Sequence, residues 1–304
     1  MIHANELRGA KTALITPFRD GAVDHDALAA LVERQIAGGI DGLVPCGTTG
    51  ESATMSVEER LSVIRPTVEV AAGRVPIIAG TGSNDTAASI EMTRATAEIG
   101  GVDAALVVCP YYNKPNQPMM LRHFTEIAER SELPVVLYNV PGRTVVSLTP
   151  ETIGALAAHP NIIGIKEATG DMTFDTRMIE QVHDKGDFAL LSGDDFTTMP
   201  FVAMGGHGCI SVVSNLLPGV MSELIKAAAA GELERARALH LRIQPLARTL
   251  FTNPNPVPTK EIAAKLGWCT DEVRAPLATS DEAFLGNLDA LIAQYPELQS
   301  EGAR

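Results

Sequence analysis

The stretch IIGIKEATGD, residues 162–171, leads from four apolar or glycine positions directly into a lysine. Short β-branched apolar runs that end at turn residues are typical of buried strands. A buried strand normally excludes an ammonium group, because removing that charge from water is costly. The stretch therefore predicts a buried strand with an unusual residue, Lys166, near its carboxyl end.

Lys166 has two interpretations. Burial in general lowers the pKa of a lysine side chain, and a neutral amine can attack a ketone to form a Schiff base. Alternatively, the side chain reaches solvent or forms an ion pair with Glu167 or Asp171, as long charged side chains commonly do. This stretch alone leaves both interpretations open.

Strand-like runs of this kind recur eight times, and amphipathic helix-like segments separate them. The runs begin at Thr12, Gly42, Pro76, Ala104, Pro134, Ile162, Phe188 and Gly208. Strands that alternate with helices pair in parallel, and eight such units close a (β/α)8 barrel. We therefore predict an α/β protein with a TIM barrel over residues 1–217. An open doubly wound sheet is the alternative fold.

The remaining segment, residues 218–304, is helix-like. It should form a C-terminal appendix of about three helices, with a break near Gly231, a helix start at Pro258 and an N-cap at Ser280. No low-complexity linker precedes it, so the appendix should pack directly on the barrel. The last five residues, 300–304, are expected to be frayed.

Composition and charge restrict the class of protein. Of 304 residues, 45% are hydrophobic and 20% charged, which is ordinary for a globular protein. A net charge of -13 disfavours binding to nucleic acids and anionic membranes. We expect a cytoplasmic protein, because no signal peptide and no membrane-spanning run is visible. The four scattered cysteines lack metal-ligand spacing and are expected to be reduced.

Polar residues follow the predicted strands at their carboxyl ends, the face that carries the active site in this type of barrel. Three of the four tyrosines, Tyr111, Tyr112 and Tyr138, lie at these ends. A glycine- and threonine-rich loop at residues 47–51 follows the second run. Because Lys166 ends the sixth run, this coincidence favours its interpretation as a nucleophile.

The neighbouring polar residues have structural alternatives. Thr48 and Thr49 can offer hydroxyl and N–H groups to a carboxylate, or cap a helix. Tyr138 can relay protons, or fill the top of the barrel with its ring. Arg143 can hold a carboxylate with two hydrogen bonds, or form a surface ion pair.

Two residue pairs have more than one interpretation, and several common motifs are missing from the sequence. Tyr111 and Tyr112 can anchor an interface or belong to the core. Asp194 and Asp195 are predicted to cap the following helix, because a metal site needs more ligands than this pair offers. Dinucleotide, P-loop, HExxH and GxSxG motifs are absent, so nucleotide- and zinc-dependent mechanisms have no local support.

Three motifs resemble those of the dihydrodipicolinate synthase family. They are GTTGE at residues 47–51, YNVPGRT at 138–144 and GIKE at 164–167, in the order and spacing of that family. The resemblance extends from Gly9 into the C-terminal helices. The wider superfamily includes N-acetylneuraminate lyase, but the lyases usually have serine in place of Thr48 and typically lack Arg143.

The resemblance implies condensation of pyruvate with L-aspartate 4-semialdehyde in lysine and diaminopimelate biosynthesis. Lys166 would form the Schiff base with pyruvate. Tyr138, Thr48 and Tyr112 of the partner subunit would relay protons within a homotetramer built as a dimer of dimers. No metal and no organic cofactor would be needed, because the lysine itself supplies the electron sink.

The resemblance also assigns substrate contacts. Thr49, with Thr48, would hold the carboxylate of pyruvate, and Arg143 would hold that of the semialdehyde. Gly193 and Ile210 would line the pocket. Two alternatives remain open, namely another pyruvate-dependent aldolase of this fold and, less favoured, a noncatalytic carboxylate-binding barrel.

The lysine-binding site of lysine-inhibited relatives is incomplete in this sequence. Asn84 and Tyr111 could still hold the carboxylate of lysine. However, Val57 and Ala88 offer no partner to its amine, and Arg60 would repel that amine. We therefore expect weak or absent inhibition by lysine.

Overall fold

Eight parallel strands curl into a nearly closed barrel in this computed structural model, which describes residues 2–299. The strands of the chain are β1 (Gly9–Ala13), β2 (Phe18–Arg19), β3 (Ala22–Val23), β4 (Leu43–Val44), β5 (Ile78–Gly80), β6 (Ala104–Val108), β7 (Val135–Asn139), β8 (Ile162–Glu167), β9 (Ala189–Ser192) and β10 (Gly208–Ser211). The barrel order is β4-β1-β10-β9-β8-β7-β6-β5, and β2 and β3 form a separate hairpin. The expected fraying of residues 300–304 lies outside the described residues.

The barrel closes between β4 and β5. Leu43 forms a parallel bridge with Ile77, and its N–H donates to the carbonyl of Pro76 at 3.0 Å. The N–H of Gly80 donates to the carbonyl of Pro45 at 2.9 Å. The prediction of a TIM barrel is therefore confirmed, and the open doubly wound alternative is excluded.

The first two barrel strands differ in length from their predicted runs. β1 begins at Gly9 rather than Thr12, because the N–H of Gly9 pairs with the carbonyl of His207 before β10. β4 stops at Val44, since Pro45 offers no N–H and Cys46 has a left-handed φ of 56°. The long polar run after β4 is therefore a loop at the rim of the barrel.

Helices alternate with the strands and then continue to the end of the described chain. They are α1 (His25–Ala37), α2 (Val57–Ala71), α3 (Thr86–Ala97), α4 (Gln117–Glu129), α5 (Pro141–Thr144), α6 (Pro150–Leu156), α7 (Met172–Val182), α8 (Thr198–Ala203), α9 (Pro218–Ala229), α10 (Leu233–Leu250), α11 (Val257–Lys265), α12 (Glu282–Ile292) and α13 (Pro296–Gln299). Local caps start several of them. Asp24 caps α1, and Ser56 with Glu59 forms a capping box at α2.

The C-terminal helices follow the prediction in part. The break near Gly231, which has a left-handed φ of 76°, separates α9 from α10 as predicted. The predicted N-cap at Ser280 is wrong, because Asp281 caps α12 through the N–H of Phe284 at 2.8 Å. Ser280 instead donates its N–H and hydroxyl to the carboxylate of Glu261, which is buried and needs both donors.

More helices follow residue 218 than the three expected. Five helices, α9 to α13, lie between Pro218 and Gln299. Helix α9 packs against β1 and β10, and α10 packs on α9 and touches α11. The appendix therefore contacts the barrel without a linker, while the division of the chain at residue 217 stays a prediction.

Apolar side chains fill two layers, one inside the barrel and one between the strands and the helices. Burying each large aliphatic side chain contributes about 1.5–3 kcal/mol. Strand β7 alternates between the layers, with Val136 and Tyr138 inside and Val135 and Leu137 outside. This alternation decides which strand residues can reach an internal site.

A register shift in β8 sets the direction of Lys166. Val135 pairs with Ile162, but Val136 pairs with Gly164, so β8 contains one extra residue. Beyond this irregularity Lys166 pairs with Tyr138 on the inner side, and Glu167 pairs with Asn139. Because successive strand residues face opposite sides, a one-residue change in register would turn Lys166 away from the interior.

Two further expectations concern membranes and cysteines. Within residues 2–299, no helix combines the length and the apolar character needed to cross a membrane. The four cysteines are free, and Cys46, Cys109 and Cys209 are buried among other side chains. These three therefore contribute as small core residues, and none of the four forms a disulfide among the described residues.

Candidate active site

Lys166 lies inside the barrel, near the carboxyl end of β8. The residue is 5% exposed, and its Nζ lies 4.4 Å from the centre of the Tyr138 ring. The lysines that form ion pairs within residues 2–299 are Lys226, Lys260 and Lys265, so Lys166 is not among them. The two residues predicted to act together are therefore adjacent.

The ion-pair alternative for Lys166 is excluded by the partners of the two nearby carboxylates. Glu167 accepts hydrogen bonds from Asn139 Nδ2 at 2.8 Å and from the N–H of Thr169. Asp171 caps α7 through the N–H groups of residues 173 and 174. Burial raises the pKa of Glu167, and its hydrogen bonds only partly oppose this effect.

Gly193 provides the space that the Lys166 side chain occupies. A Cβ atom at position 193 would lie 2.8 Å from Lys166 Cε and 2.8 Å from Ala168 Cβ. The N–H of Gly193 donates to the carbonyl of Glu167 at 2.6 Å, which fixes the loop close to β8. Ile210 is buried in the same inner layer as Tyr138. Both predicted pocket residues therefore belong to the barrel interior.

The loop at residues 47–51 forms a tight turn with free donors. The N–H of Gly50 donates to the carbonyl of Gly47 at 3.1 Å, and that of Glu51 to the carbonyl of Thr48 at 3.0 Å. Among residues 2–299, no hydrogen-bond acceptor faces the N–H groups of Thr48 and Thr49. Adjacent unpaired N–H groups form a concave site that suits a carboxylate.

Two neighbouring cavities share Thr48. The smaller, about 40 Å³, is lined by Thr48, Tyr138 and Cys46 among others. The larger, about 370 Å³, is lined by Thr48, Tyr111 and Arg143 among others. Thr48 thus lies between Tyr138, which is beside Lys166, and Arg143 at the rim. A residue that relays protons within the site would need such a position.

Arg143 and Tyr112 lie at the rim. Arg143 is exposed on the short helix α5, and it forms no ion pair within the described part of the chain. Tyr112 is 89% exposed, has a left-handed φ of 70° and lines neither cavity. The structure of this single chain therefore does not bring Tyr112 into the site.

Asp194 and Asp195 do not cap α8, so that prediction is wrong. Asp194 accepts from the N–H of Phe196 and from the Thr197 hydroxyl, both before the helix begins. Asp195 Oδ2 accepts from the N–H groups of Val212 and Val213, each at 3.0 Å. These buried N–H groups after β10 need an acceptor, and burial raises the pKa of Asp195.

In the described residues, no cluster of His, Cys, Asp or Glu could hold a metal ion.

The larger cavity also carries the residues predicted to form an incomplete lysine site. Arg60 lines it, with Nη2 donating to the carbonyl of Gly80 at 2.7 Å, and burial lowers the pKa of Arg60. Tyr111 lines it too, whereas Asn84 lies beside it and accepts through its carbonyl from Asn113 Nδ2. The cavity therefore has two guanidinium groups, from Arg60 and Arg143, among its lining residues.

Three C-terminal residues that were not predicted from the sequence hold the loop at 47–51. Asn255 Nδ2 donates to Thr49 Oγ1 at 2.9 Å. Lys260 Nζ lies 2.7 Å from Glu51 Oε1, with both side chains buried. The N–H of Arg274 donates to Glu51 Oε2 at 2.9 Å. A lysine and an asparagine within the apolar segment NPNPVPTKEIAA, residues 253–264, were the available signal.

A parallel barrel with an unpaired lysine buried inside it, beside a tyrosine and near a turn with two free N–H groups, has the arrangement that a lyase of the Schiff-base-forming class requires. Residues 6–295 match the model of the Dihydrodipicolinate synthetase family. The chain therefore belongs to this family.

Individual relatives agree over nearly the full length of the chain. The 4-hydroxy-tetrahydrodipicolinate synthase of Hyphomonas neptunium is 51% identical over 285 residues, covering 94% of this chain and 97% of the relative. A chloride-inhibited dihydrodipicolinate synthase of Acinetobacter baumannii, solved with pyruvate, has a TM-score of 0.91 and 42% identity, covering 94% and 98% of the two chains. The enzyme of Cyanidioschyzon merolae, solved with lysine bound, has a TM-score of 0.91 and 37% identity, covering 95% and 98%.

Proposed function

We propose that this protein catalyses the condensation of pyruvate with L-aspartate 4-semialdehyde, the reaction of 4-hydroxy-tetrahydrodipicolinate synthases in lysine and diaminopimelate biosynthesis. The observation that carries the proposal is Lys166, buried and free of ion pairs 4.4 Å from the Tyr138 ring. A buried amine without a carboxylate partner is the nucleophile that Schiff-base chemistry requires. Family membership supports the choice of reaction.

The first half of the reaction takes place at Lys166. The Lys166 amine attacks C2 of pyruvate, and the carbinolamine loses water to give an iminium. Tyr138 and Thr48 carry the protons that this dehydration needs, since both line the small cavity and the Tyr138 ring lies 4.4 Å from Lys166 Nζ. Loss of one methyl proton from C3 then gives the enamine, with the iminium nitrogen as the electron sink.

The second half uses the semialdehyde. C3 of the enamine attacks the aldehyde carbon, and the new alkoxide takes a proton from the relay. The amine of the condensed product then attacks the iminium carbon, which closes the ring and releases the amine of Lys166. No metal and no organic cofactor takes part in these steps.

Two separate groups bind the two carboxylates. The free N–H of Thr49, with Thr48, holds the carboxylate of pyruvate close to Lys166. Arg143, at the mouth of the larger cavity, holds the carboxylate of the semialdehyde. This division explains why the arginine lies on a rim helix and not on a barrel strand.

The active form is a cytoplasmic homotetramer built from two tight dimers. Tyr112 supports the oligomer, because a tyrosine that is 89% exposed and held at a left-handed φ is well placed to enter a partner's site. Tyr112 of the partner subunit would then complete the relay of Tyr138 and Thr48.

Two measurements test the proposed function. Purified protein is assayed with pyruvate and aspartate semialdehyde, and in parallel with sugar-acid substrates; preferential turnover of sugar acids would indicate another pyruvate-dependent aldolase. Borohydride reduction with pyruvate should add the reduced pyruvyl mass to the peptide that contains Lys166. Pyruvate binding without turnover of any aldehyde would instead indicate a noncatalytic barrel.

A further inference from the structure

Asn255 connects the C-terminal helices to the loop that binds pyruvate. It lies between α10 and α11, and its Nδ2 donates to Thr49 Oγ1, 206 residues away in sequence, at 2.9 Å. Both residues are buried, Asn255 at 7% and Thr49 at 2% exposure. Neither residue lines the two cavities, whereas Thr48, which precedes Thr49 in the turn, lines both.

This hydrogen bond determines what the Thr49 hydroxyl can do. A hydroxyl oxygen that accepts a hydrogen bond keeps its own proton for a second partner. Within residues 2–299, the Thr49 hydroxyl has no acceptor for that proton. Thr49 therefore presents two donors, the hydroxyl and its free backbone N–H, and both suit a carboxylate.

Other contacts hold the loop in place. Glu51 pairs with Lys260 and accepts from the N–H of Arg274. The Arg274 side chain also donates to the carbonyl of Thr54 at 3.0 Å. These bonds do not depend on Asn255, so its removal should leave the loop folded.

Asn255 is also poorly explained as a purely structural residue. Its Oδ1 is buried and has no donor among the described residues. A structural asparagine in a core normally uses both its amide and its carbonyl group. Only the amide of Asn255 is used, and it is used on Thr49.

We propose that Asn255 is a positioning residue that holds the Thr49 hydroxyl as a donor to the carboxylate of pyruvate. The inference rests on the proposed function, in which Thr49 binds pyruvate. It assigns the C-terminal helical segment a part in substrate binding, although no residue of that segment touches the substrate in this scheme.

The test compares three variants by their dissociation constant for pyruvate, read from the pyruvate dependence of borohydride trapping, and by steady-state kinetics. Asn255→Ala should raise the dissociation constant and KM for pyruvate about tenfold, with kcat and KM for the semialdehyde within about twofold. Asn255→Asp should raise the dissociation constant and KM for pyruvate more, about a hundredfold. A carboxylate can only accept hydrogen bonds, so the Thr49 hydroxyl would donate to it and not to pyruvate. Asn253→Ala is the matched control, since Asn253 lies in the same loop but donates to Ser280.

A double-mutant cycle identifies the route of the effect. If Asn255 acts through Thr49, adding Asn255→Ala to Thr49→Val should change pyruvate binding by less than about twofold. A full additive loss in the Thr49→Val background, or an unchanged dissociation constant in Asn255→Ala, would overturn the inference. Failure of both Asn255 variants to fold, with Asn253→Ala folded, would also overturn it, because it would show a structural role. Failure of the unmodified protein to trap pyruvate would count against the proposed function instead.

Discussion

Three lysines are buried among residues 2–299, and two of them, Lys166 and Lys260, lie beside an aromatic ring but have different partners. Lys166 Nζ lies 4.4 Å from the Tyr138 ring centre, and Lys260 Nζ lies 4.2 Å from that of Phe18. Lys260, however, also lies 2.7 Å from a carboxylate oxygen of Glu51, whereas Lys166 forms no ion pair within residues 2–299. Of these two lysines, the carboxylate distinguishes the one in an ion pair from the one without; Lys11, which is also buried and forms no ion pair among the described residues, instead donates to the carbonyl of Arg8.

The difference has a physical cause. A carboxylate compensates a buried ammonium for its lost hydration and holds the ammonium group in a fixed ion pair, whereas an amine without such a partner keeps its nitrogen free for a substrate. Burial lowers the pKa of Lys260, and Glu51 opposes that effect through its charge and its hydrogen bond. Replacing each lysine in turn therefore tests whether Lys166 acts in catalysis and Lys260 in stability.

The largest effect is expected from Lys166→Ala. Removing the nucleophile should lower turnover by about four orders of magnitude or more. Trapping of pyruvate by borohydride should disappear, while the melting temperature should stay close to that of the unmodified protein, because no ion pair is lost. Trapping that persists in this variant would place the Schiff base on another lysine and show that Lys166 is not the nucleophile.

Lys260→Met should have the opposite profile. It leaves Glu51 buried without its cation, which costs about 3–5 kcal/mol in the free energy of unfolding. Denaturant unfolding measures this loss, and trapping at Lys166 should continue in the folded fraction. The double variant Glu51→Gln/Lys260→Met serves as the control and should recover part of the stability. A Lys260→Met protein that is as stable as the unmodified one would contradict the assignment.

Arg143→Ala should separate the two substrates. Loss of a charged hydrogen bond costs about 1.5–3 kcal/mol, so kcat/KM for the semialdehyde should fall roughly 10- to 100-fold. Formation of the pyruvate adduct at Lys166 should change much less, because Arg143 lies on the rim helix. Steady-state kinetics and trapping are measured side by side. Equal losses in both would show that Arg143 does not act on the second substrate alone.

Asp175 is a buried carboxyl group that forms no ion pair among the described residues, so it can be compared with Lys166, a buried amine without an ion pair. Burial, together with the charges of Glu167, Asp171 and Asp194, raises its pKa from 3.8 to about 7. The folded state thus keeps a proton that the unfolded state releases, so stability should fall as pH rises from about 4 to 7.

Asp175→Asn should remove this part of the pH dependence. At pH 8 the variant should be more stable than the unmodified protein by about 1–2 kcal/mol. This gain is smaller than the full pKa shift implies, because Asp175 Oδ1 has no hydrogen-bond partner and an Asn side chain at this position would lack one too. At pH 4, where Asp175 keeps its proton in the folded protein, only the missing partner of Asn remains, so the variant should be less stable by about 2–3 kcal/mol. Melting temperatures across this range measure the effect, and an unchanged slope would show that Asp175 is ionised in the folded state.

The smallest effect is expected from added lysine. Arg60 is a second partly buried cation without a carboxylate in the described chain, and it lines the larger cavity with Arg143. A cationic side chain should therefore be repelled, and initial rates should fall by less than about twofold at ~1 mM lysine. The relative from Cyanidioschyzon merolae, solved with lysine bound, serves as a positive control for lysine binding. Clear inhibition of this protein at submillimolar lysine would show that Arg60 is compensated by a group outside the single chain.

The sequence predicted the parts of the site that lie within one continuous segment. Lys166 and Tyr138 were identified because each ends an apolar run whose pattern is local. Residues whose partners are distant were missed or misassigned. Ser280 was predicted to cap α12, but Glu261, 19 residues earlier, takes both of its donors. Asp195 was assigned to α8, but its partners follow β10.

Periodicity, turn residues and motifs therefore determined the barrel, the sequence positions of its strands and the lysine at the end of β8. Only the tertiary structure decided that Lys166 faces inward, because one extra residue in β8 sets its direction. It also decided that Lys260 and Asn255, more than 200 residues from the loop at 47–51, hold that loop. Side-chain periodicity reports on neighbours along the chain, whereas charge pairing and hydrogen bonding in a core depend on which segments folding brings together.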